Sequence, residues 1–211
     1  PAPPRAYVSV VRFSFPPMSS SLLSWIAAAV LLFWAVGAYN RLVRLRGEAI
    51  SAFGALEGEL MQQVQLVHSL LPDDGEPPAS LFDGAEASFW GGLQGAAAQL
   101  EASLLGARQR PLEGERIAAL AAAQSVLAMA WDRAEREDIH DLAGPRLPDT
   151  LTGERAHLTV QCIAAAERFS QAVQRYNSAI AQFPAVLLAW LFGFKAGRPI
   201  EAMPPAKGPA V

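Results

Sequence analysis

Two Glu-x-x-His units are the residues of this chain whose types and spacing come closest to a reactive site. They are Glu137 with His140, and Glu154 with His157. On a helix, positions i and i+3 share a face, and a carboxylate and an imidazole projecting inward from such positions bind metal in di-iron bundles. Such a centre also needs a lone glutamate from each of two further helices at the same level. A metal-binding helical bundle is therefore the first hypothesis.

The elements that must position these histidines argue against a metal centre. At about 100° per residue, His140 falls nearly opposite the apolar stripe of its segment, and His157 lies well off the stripe of the next segment. We therefore predict no metal and no other cofactor. The chain has no Gly-rich phosphate loop after a strand, no nucleophile elbow and no cysteine with a matched histidine. We predict that the protein is not an enzyme.

An uninterrupted apolar run, 22–38, leads directly into a basic stem. With its flanks, the segment 19–39 is about 20 residues or roughly 30 Å of helix, which matches the hydrocarbon core of a bilayer. A cleaved signal peptide is the alternative, but that would have a shorter apolar region before a small-residue cleavage site. Arg41, Arg44 and Arg46 follow the run, so the positive-inside bias predicts a single-pass protein with its body in the cytoplasm.

The body of about 170 residues is long enough for one domain with a hydrophobic core. The net charge of −3, with acids and bases interleaved, gives no electrostatic footprint for nucleic acid. Cys162 is the only cysteine, which excludes an intramolecular disulfide.

Four segments of the body carry apolar residues at steps of three and four, which is typical of helices with one buried face. The segments are 42–71, 82–107, 117–142 and 158–183. Their matched lengths and short polar connections predict an all-α, antiparallel up-and-down four-helix bundle over 40–184. We expect Thr152 to cap the start of the fourth helix and Pro184 to stop it, and we expect 1–18 and 199–211 to be disordered.

This geometry returns the chain to the membrane at 185–198, a segment that is strongly apolar and aromatic but too short to span. Aromatic rings beside cations are typical of the headgroup boundary, so one interpretation is contact with the bilayer interface. The other is that the segment only caps the lower end of the bundle. The residues expected at the membrane interface are Tyr39, Arg41, Arg44, Arg46, Trp190, Phe192, Phe194 and Lys195.

Charged residues and two Tyr-Asn pairs also separate along the predicted bundle. Acidic residues gather at the membrane-distal end, whereas Arg108, Arg110 and Arg116 fall with the other cations at the membrane-proximal end. The pairs 39–40 and 176–177 both lie near the membrane. We expect them to hydrogen-bond each other's backbone across the base, or to bind lipid headgroups.

Two blocks of this sequence resemble the LemA proteins. YNRLVRLR, at 39–46 after the span, resembles their start, and RFSQAVQRYNSAIAQFPAVLLAWLFGFK, at 168–195, resembles their end. The matching positions of the second block are Arg168, Phe169, Val173, Tyr176, Asn177, Phe183, Pro184, Gly193 and Phe194. The segment 54–75 and Ser170 depart from the family pattern. The resemblance implies a divergent bacterial inner-membrane protein with an N-terminal anchor and a four-helix body, and it implies no chemistry.

Two rows of glycine form candidate helix contacts. The glycines share one face of the first or the second helix, and they are Gly47, Gly54, Gly58, Gly84, Gly91 and Gly95. An exposed helical glycine costs about 1 kcal/mol relative to alanine. These rows are therefore either tolerated drift or surfaces that admit the close approach of a partner helix.

The sequence as a whole favours a non-catalytic scaffold or adaptor. Its expected partners are the lipid bilayer, other membrane or envelope proteins, and a second copy of the chain. The alternative is a bundle that senses a small ligand or metal through its core or its acidic distal end.

Overall fold

The computed structural model describes residues 20–70, 84–140 and 149–200, with side chains described over 21–70, 91–136 and 150–200. These residues form helices and no β-strand. The five helices are α1 Ser20–Ser69, α2 Gly84–Gln109, α3 Gly114–His140, α4 Asp149–Ala181 and α5 Ala185–Phe192. Within these residues, the prediction of an all-α fold with one long apolar helix near the N-terminus is confirmed.

The apolar run and the first helix of the body are one continuous element. α1 has 50 residues and is therefore about 75 Å long. No proline lies between Pro17 and Pro72, so no residue in α1 removes a backbone donor from its hydrogen-bond ladder. The apolar part of α1 is thus held rigidly to the part that packs in the body.

One hydrophobic core takes residues from α1, α2, α3 and α4. Leu60, Leu100, Leu120 and Phe169 have no exposed surface and represent the four helices in that order. The ring of Phe53 packs edge-on against that of Phe169, with centroids 5.7 Å apart. α1 approaches α4 most closely and α2 approaches α3, and buried alanines on these helices permit the short separations.

The seam between α3 and α4 is wider, and long side chains bridge it. In the described parts of these helices, no Cα of α3 lies within 8 Å of a Cα of α4. Arg155 reaches across to pair with Glu135 and with Asp132, at 2.9 Å from the latter, and its guanidinium lies 5.4 Å from the ring centre of Trp131. Only 14% of the Arg155 side chain is exposed, so the stem of this residue also fills the seam.

The start of α4 differs from the prediction, whereas its end agrees. α4 begins at Asp149, so Thr152 lies inside the helix and is not its N-cap. α4 ends at Ala181, three residues before Pro184, which agrees with a proline stop, and Pro184 then directly precedes α5. Phe183, which the helical period placed in the core, is 82% exposed because the helix that carried the period has already ended.

Candidate functional site

The N-terminal part of α1 exposes a long apolar surface. Trp25 and Phe33 are 76% and 87% exposed, and an 18-residue stretch of mean hydropathy 2.0 has no buried residue. Within the described residues, α1 is the one helix long and apolar enough to cross a membrane. Apolar surface of this extent marks a site that lipid or another protein covers.

The chain returns to this apolar helix where the body begins. The ring of Tyr39 contacts those of Phe192 and Phe194, with centroids 4.9 and 5.9 Å away. One helical turn later, Leu42 enters a second buried cluster with Tyr176 and Ala189. The structure therefore brings the end of the apolar run, the lower end of α4 and α5 together in one place, which we call the base.

α5 has a packed side and an apolar exposed side. Ala189 is buried against the base, whereas Leu187, Trp190 and Leu191 are 60%, 83% and 66% exposed. A helix exposing such side chains beside the apolar part of α1 suits a lipid interface better than water. Gly193 ends α5 with a φ of 69°, a left-handed conformation that favours glycine, and turns the chain back toward α4.

The residues after α5 form a strap, 194–200, that α4 holds by hydrogen bonds. The Tyr176 hydroxyl donates to the carbonyl of Lys195 at 3.0 Å. The Asn177 side chain donates to the carbonyl of Gly197 at 2.8 Å and accepts from its amide at 2.9 Å. The second Tyr-Asn pair thus holds the strap, and in the described residues its side chains form no hydrogen bond with the first pair at 39–40.

Two strap contacts were missed from the sequence. The Ser170 hydroxyl donates to the carbonyl of Ile200 at 2.6 Å, and the Ile200 side chain is buried in the main core. Ile200, two residues past the boundary expected for the tail, therefore belongs to the core. Gly197 is packed so closely that a Cβ there would lie 3.2 Å from side-chain carbons of Leu112 and Val173. The serine at position 170, where the chain departs from the family pattern, was the available signal.

The cations expected at the membrane interface surround the base. Arg41 and Arg46 are exposed on α1, and Arg44 pairs with Glu48 at 3.7 Å while 72% of its side chain stays exposed. Lys195 is exposed on the strap. Lys195 directly follows Phe194, and the three arginines follow Tyr39 within seven residues on α1.

Arg108 lies further from the base than predicted, whereas Leu112 of the α2–α3 connection packs against the base cluster. Arg108 pairs with Glu57 at 3.6 Å, and Glu57 is 15 residues or about 22 Å along α1 from Leu42. Glu113 pairs with Arg116 at 2.7 Å and with Arg110 at 3.6 Å, and the hydrogen bond from Arg116 lowers the pKa of Glu113. The strap packs against this connection, because a Cβ at Gly114 would lie 3.6 Å from Cβ of Arg198 and one at Gly197 would lie 3.2 Å from the Leu112 side chain.

No protein-family model, curated protein or solved structure matches this chain. The resemblance to the LemA proteins therefore stays a prediction. The functional interpretation rests on the geometry of the base.

The Glu-x-x-His units are placed only in part. Glu154 and His157 are both exposed on α4, and the His157 ring contacts the Gln161 amide at 3.0 Å. The side chains of Glu137 and His140, and most of the expected acidic distal end, lie outside the described residues. Within the described residues, no group of three His, Cys, Asp or Glu side chains is arranged to hold a metal ion.

The glycine rows face outward. A Cβ added to any of the five described positions would meet no atom within 4 Å, and these positions are Gly47, Gly54, Gly58, Gly91 and Gly95. The surroundings of Gly84 lie outside the described side chains. The five glycines therefore serve no close contact within the chain itself.

A small polar cluster lies inside the core. The buried Gln124 amide donates to the Cys162 sulfur at 3.2 Å. Burial raises the pKa of Cys162 to about 11, which makes this thiol a poor nucleophile at neutral pH. Oε2 of Glu59, whose charge also raises the pKa of Cys162, is buried without a hydrogen-bond partner.

Proposed function

We propose that this protein is a divergent LemA-like scaffold of a bacterial inner membrane. In this proposal α1 is a retained single-pass anchor, the body lies on the cytoplasmic side, and the base docks on the bilayer. The body then presents its outer faces to other membrane or envelope proteins, and it performs no catalysis.

The observation that carries the proposal is the meeting of α5 with the end of the apolar run. The contact between Tyr39 and Phe192 sets α5 at the depth where the apolar surface of α1 ends. The outward side chains of α5, with Trp190 the most exposed, would then lie at the headgroup boundary. Continuity of α1 into the body supports a retained anchor over a cleaved signal, because cleavage would remove part of the same helix that builds the base.

Register along α1 and α4 supports an antiparallel bundle. Leu42 clusters with Tyr176 and Ile180, whereas Phe53 contacts Phe169, which comes earlier in the chain. α4 therefore descends as α1 rises. The four-residue connection 110–113 between α2 and α3 favours the same reversal for that pair.

A contact role is supported by the outer faces of α1 and α2. Their five described glycines leave open space along much of the body, and small residues let a partner helix approach the backbone closely. Photocrosslinking in intact membranes tests this role. A photoreactive residue at Gly54 or Gly95 of the full chain should give discrete protein adducts, whereas one at Val160, which is 66% exposed on α4, should not. Equal adduct patterns from all three positions would contradict the scaffold.

The orientation has its own test, because Cys162 is the only cysteine and is buried. In a Cys162→Ala background, Lys195→Cys should react with a membrane-impermeant maleimide in inverted vesicles but not in intact spheroplasts. Labelling in spheroplasts would place the body on the other side of the membrane.

The alternative function is a bundle that senses a small ligand through its core. The observation that favours it is the unpartnered Oε2 of Glu59 near Gln124 and Cys162, since buried polar atoms are ordinarily paired. A small molecule that copurifies with the full chain and is lost in Glu59→Gln would support this function over the scaffold.

A further inference from the structure

A groove between α1 and α4 crosses the level of the base. Its lower cleft, of about 360 Å³, is lined by apolar groups that include Trp34, Gly37 and Phe183. Its upper cleft, of about 550 Å³, is lined by polar groups that include Arg175. Arg41, Ala179 and Gln182 line both clefts, so the two are parts of one continuous groove.

The polarity of the groove changes along its length. Trp34 lies seven residues before Arg41 and therefore about 10 Å below it along α1, on the apolar side. Arg41 and Arg175 are exposed, no carboxylate lines either cleft, and within the described residues neither arginine forms an ion pair. The upper groove thus offers two free guanidinium groups, and the neutral side chains Gln174 and Ser178 beside them add hydrogen-bonding groups.

The lower groove has room for a flexible apolar chain. A Cβ added to Gly37 would meet nothing within 4 Å, so the backbone of α1 is uncovered there. Phe183, which lies beyond the end of α4 and outside the core, also lines this cleft and is 82% exposed.

We propose that the groove binds one molecule of an anionic phospholipid, with the phosphate at Arg41 and Arg175 and an acyl chain against Trp34, Gly37 and Phe183. Guanidinium groups bind phosphate through paired, charge-assisted hydrogen bonds, and basic pockets beside spanning helices bind anionic headgroups. The proposal rests on the proposed membrane anchoring of α1, because only then does the lower cleft open into the acyl region.

Native mass spectrometry of the purified full chain tests the site, with dioleoyl phosphatidylglycerol and dioleoyl phosphatidylcholine as probes. The chain should retain one phosphatidylglycerol in preference to phosphatidylcholine. Arg41→Gln with Arg175→Gln should weaken phosphatidylglycerol binding by about tenfold or more, since both charged donors are lost. The matched control Arg44→Gln with Arg198→Gln removes two charges of the same region outside the groove, and it should change binding less than twofold.

A second pair of variants separates the groove from general charge attraction. Gly37→Leu fills the lower cleft without changing charge and should weaken binding of the same lipid, whereas Gly47→Leu adds the same side chain at an open position outside the groove and should not. Circular dichroism shows whether each variant keeps its helix content.

Three results would overturn the lipid site. They are equal binding of both lipids, equal losses in the groove and control variants, or displacement of the lipid by inorganic phosphate, which would show a site for a free anion. Resistance of the full chain to alkaline extraction from vesicles measures the anchor separately. An anchored chain without lipid selectivity refutes the groove alone, whereas an extractable chain refutes the proposed function as well.

Discussion

The immersion of α5 in the bilayer interface can be measured with two positions of equal exposure. Leu191 on α5 and Val160 on α4 are both 66% exposed, so burial in the protein does not distinguish them. A spin label is attached to Leu191→Cys or Val160→Cys of the full chain in a Cys162→Ala background, and the chain is reconstituted in vesicles. Power saturation then compares collisions with oxygen, which concentrates in lipid, and with a water-soluble nickel chelate.

The expected difference follows from the length of α4. Tyr176 lies in the base with Leu42, and Val160 is 16 residues away, or about 24 Å further from the membrane. Phe192 contacts Tyr39, so the neighbouring residue Leu191 lies at about the same level as Tyr39. The label at Leu191 should therefore collide mainly with oxygen, and the label at Val160 mainly with the chelate.

Removing exposed apolar side chains of α5 should reduce the preference of the label at Leu191 for oxygen over the chelate. Full burial of a large apolar side chain contributes about 1.5–3 kcal/mol, so the exposed fractions of Leu187 and Trp190 correspond to roughly 2–4 kcal/mol together when lipid covers them. Leu187→Ser with Trp190→Ser should then make the label at Leu191 more accessible to the chelate. If the labels at Leu191 and Val160 are equally accessible to the chelate while Leu187 and Trp190 are retained, membrane contact is refuted. α5 would then only cap the lower end of the bundle.

Four further outcomes are expected. Asn177→Ala leaves the buried backbone of the strap without its two partners, costing about 2–3 kcal/mol, and should speed amide exchange at 194–200 while leaving α2 unchanged. Burial raises the pKa of Cys162 from 9.0 to about 11, so between pH 8 and pH 10.5 mainly the unfolded thiol ionises. The free energy of unfolding should therefore fall by about 2 kcal/mol more over this range in the unsubstituted protein than in Cys162→Ala. Equal losses in urea titrations of the two proteins would contradict this. Gly54→Ala with Gly58→Ala should raise thermal stability, by about 1 kcal/mol each if the row is drift, and should weaken crosslinked oligomers if the row is a contact. Arg155→Ala should cost about 1–3 kcal/mol in urea titrations, discounted for the exposure of its acidic partners, and an unchanged midpoint would show that the α3–α4 seam does not need it.

Helix periodicity predicted the core well where each helix is long. The predicted stripe of α2 from Leu93 to Ala107 and that of α3 from Ile117 to Ala134 are buried as expected. Each of these helices keeps one face against the others over several turns, so the spacing of three and four between apolar residues is repeated several times in the sequence. The prediction that Phe183 is buried is wrong, because this residue lies beyond the end of α4 and the helical period no longer determines its direction.

The strap could not be predicted from the pattern of apolar residues. Its order depends on single side chains of α4, Ser170 and Asn177, that bind backbone groups 20 to 30 residues later in the chain. A hydrogen bond to a backbone carbonyl places no requirement on the residue that supplies it. The sequence therefore predicts a tail from residue 199 onward, although Ile200 reaches the core.

The position of the base was predictable because it follows from the number and the similar lengths of the helical segments. Four segments of similar length must return the chain to its starting level, and the aromatic residues after the fourth meet those at the start of the first. The same assumption of equal lengths placed Arg108 too near the base. α2 and α3 have 26 and 27 residues, and α1 extends well beyond both.

In the proposed arrangement, α5 also acts as a strut for the body. α1 is one helix from the membrane into the core, so any tilt of its spanning part is passed directly to the body. Ser69 lies 30 residues after Tyr39 and therefore about 45 Å along α1, and a typical tilt of about 20° would move this far end sideways by roughly 15 Å. A second contact at α5 opposes tilt toward its own side, because tilting would push Trp190 deeper into the bilayer. The body would therefore lean in a preferred direction, which gives the glycine faces of α1 and α2 a defined orientation toward a partner in the same membrane.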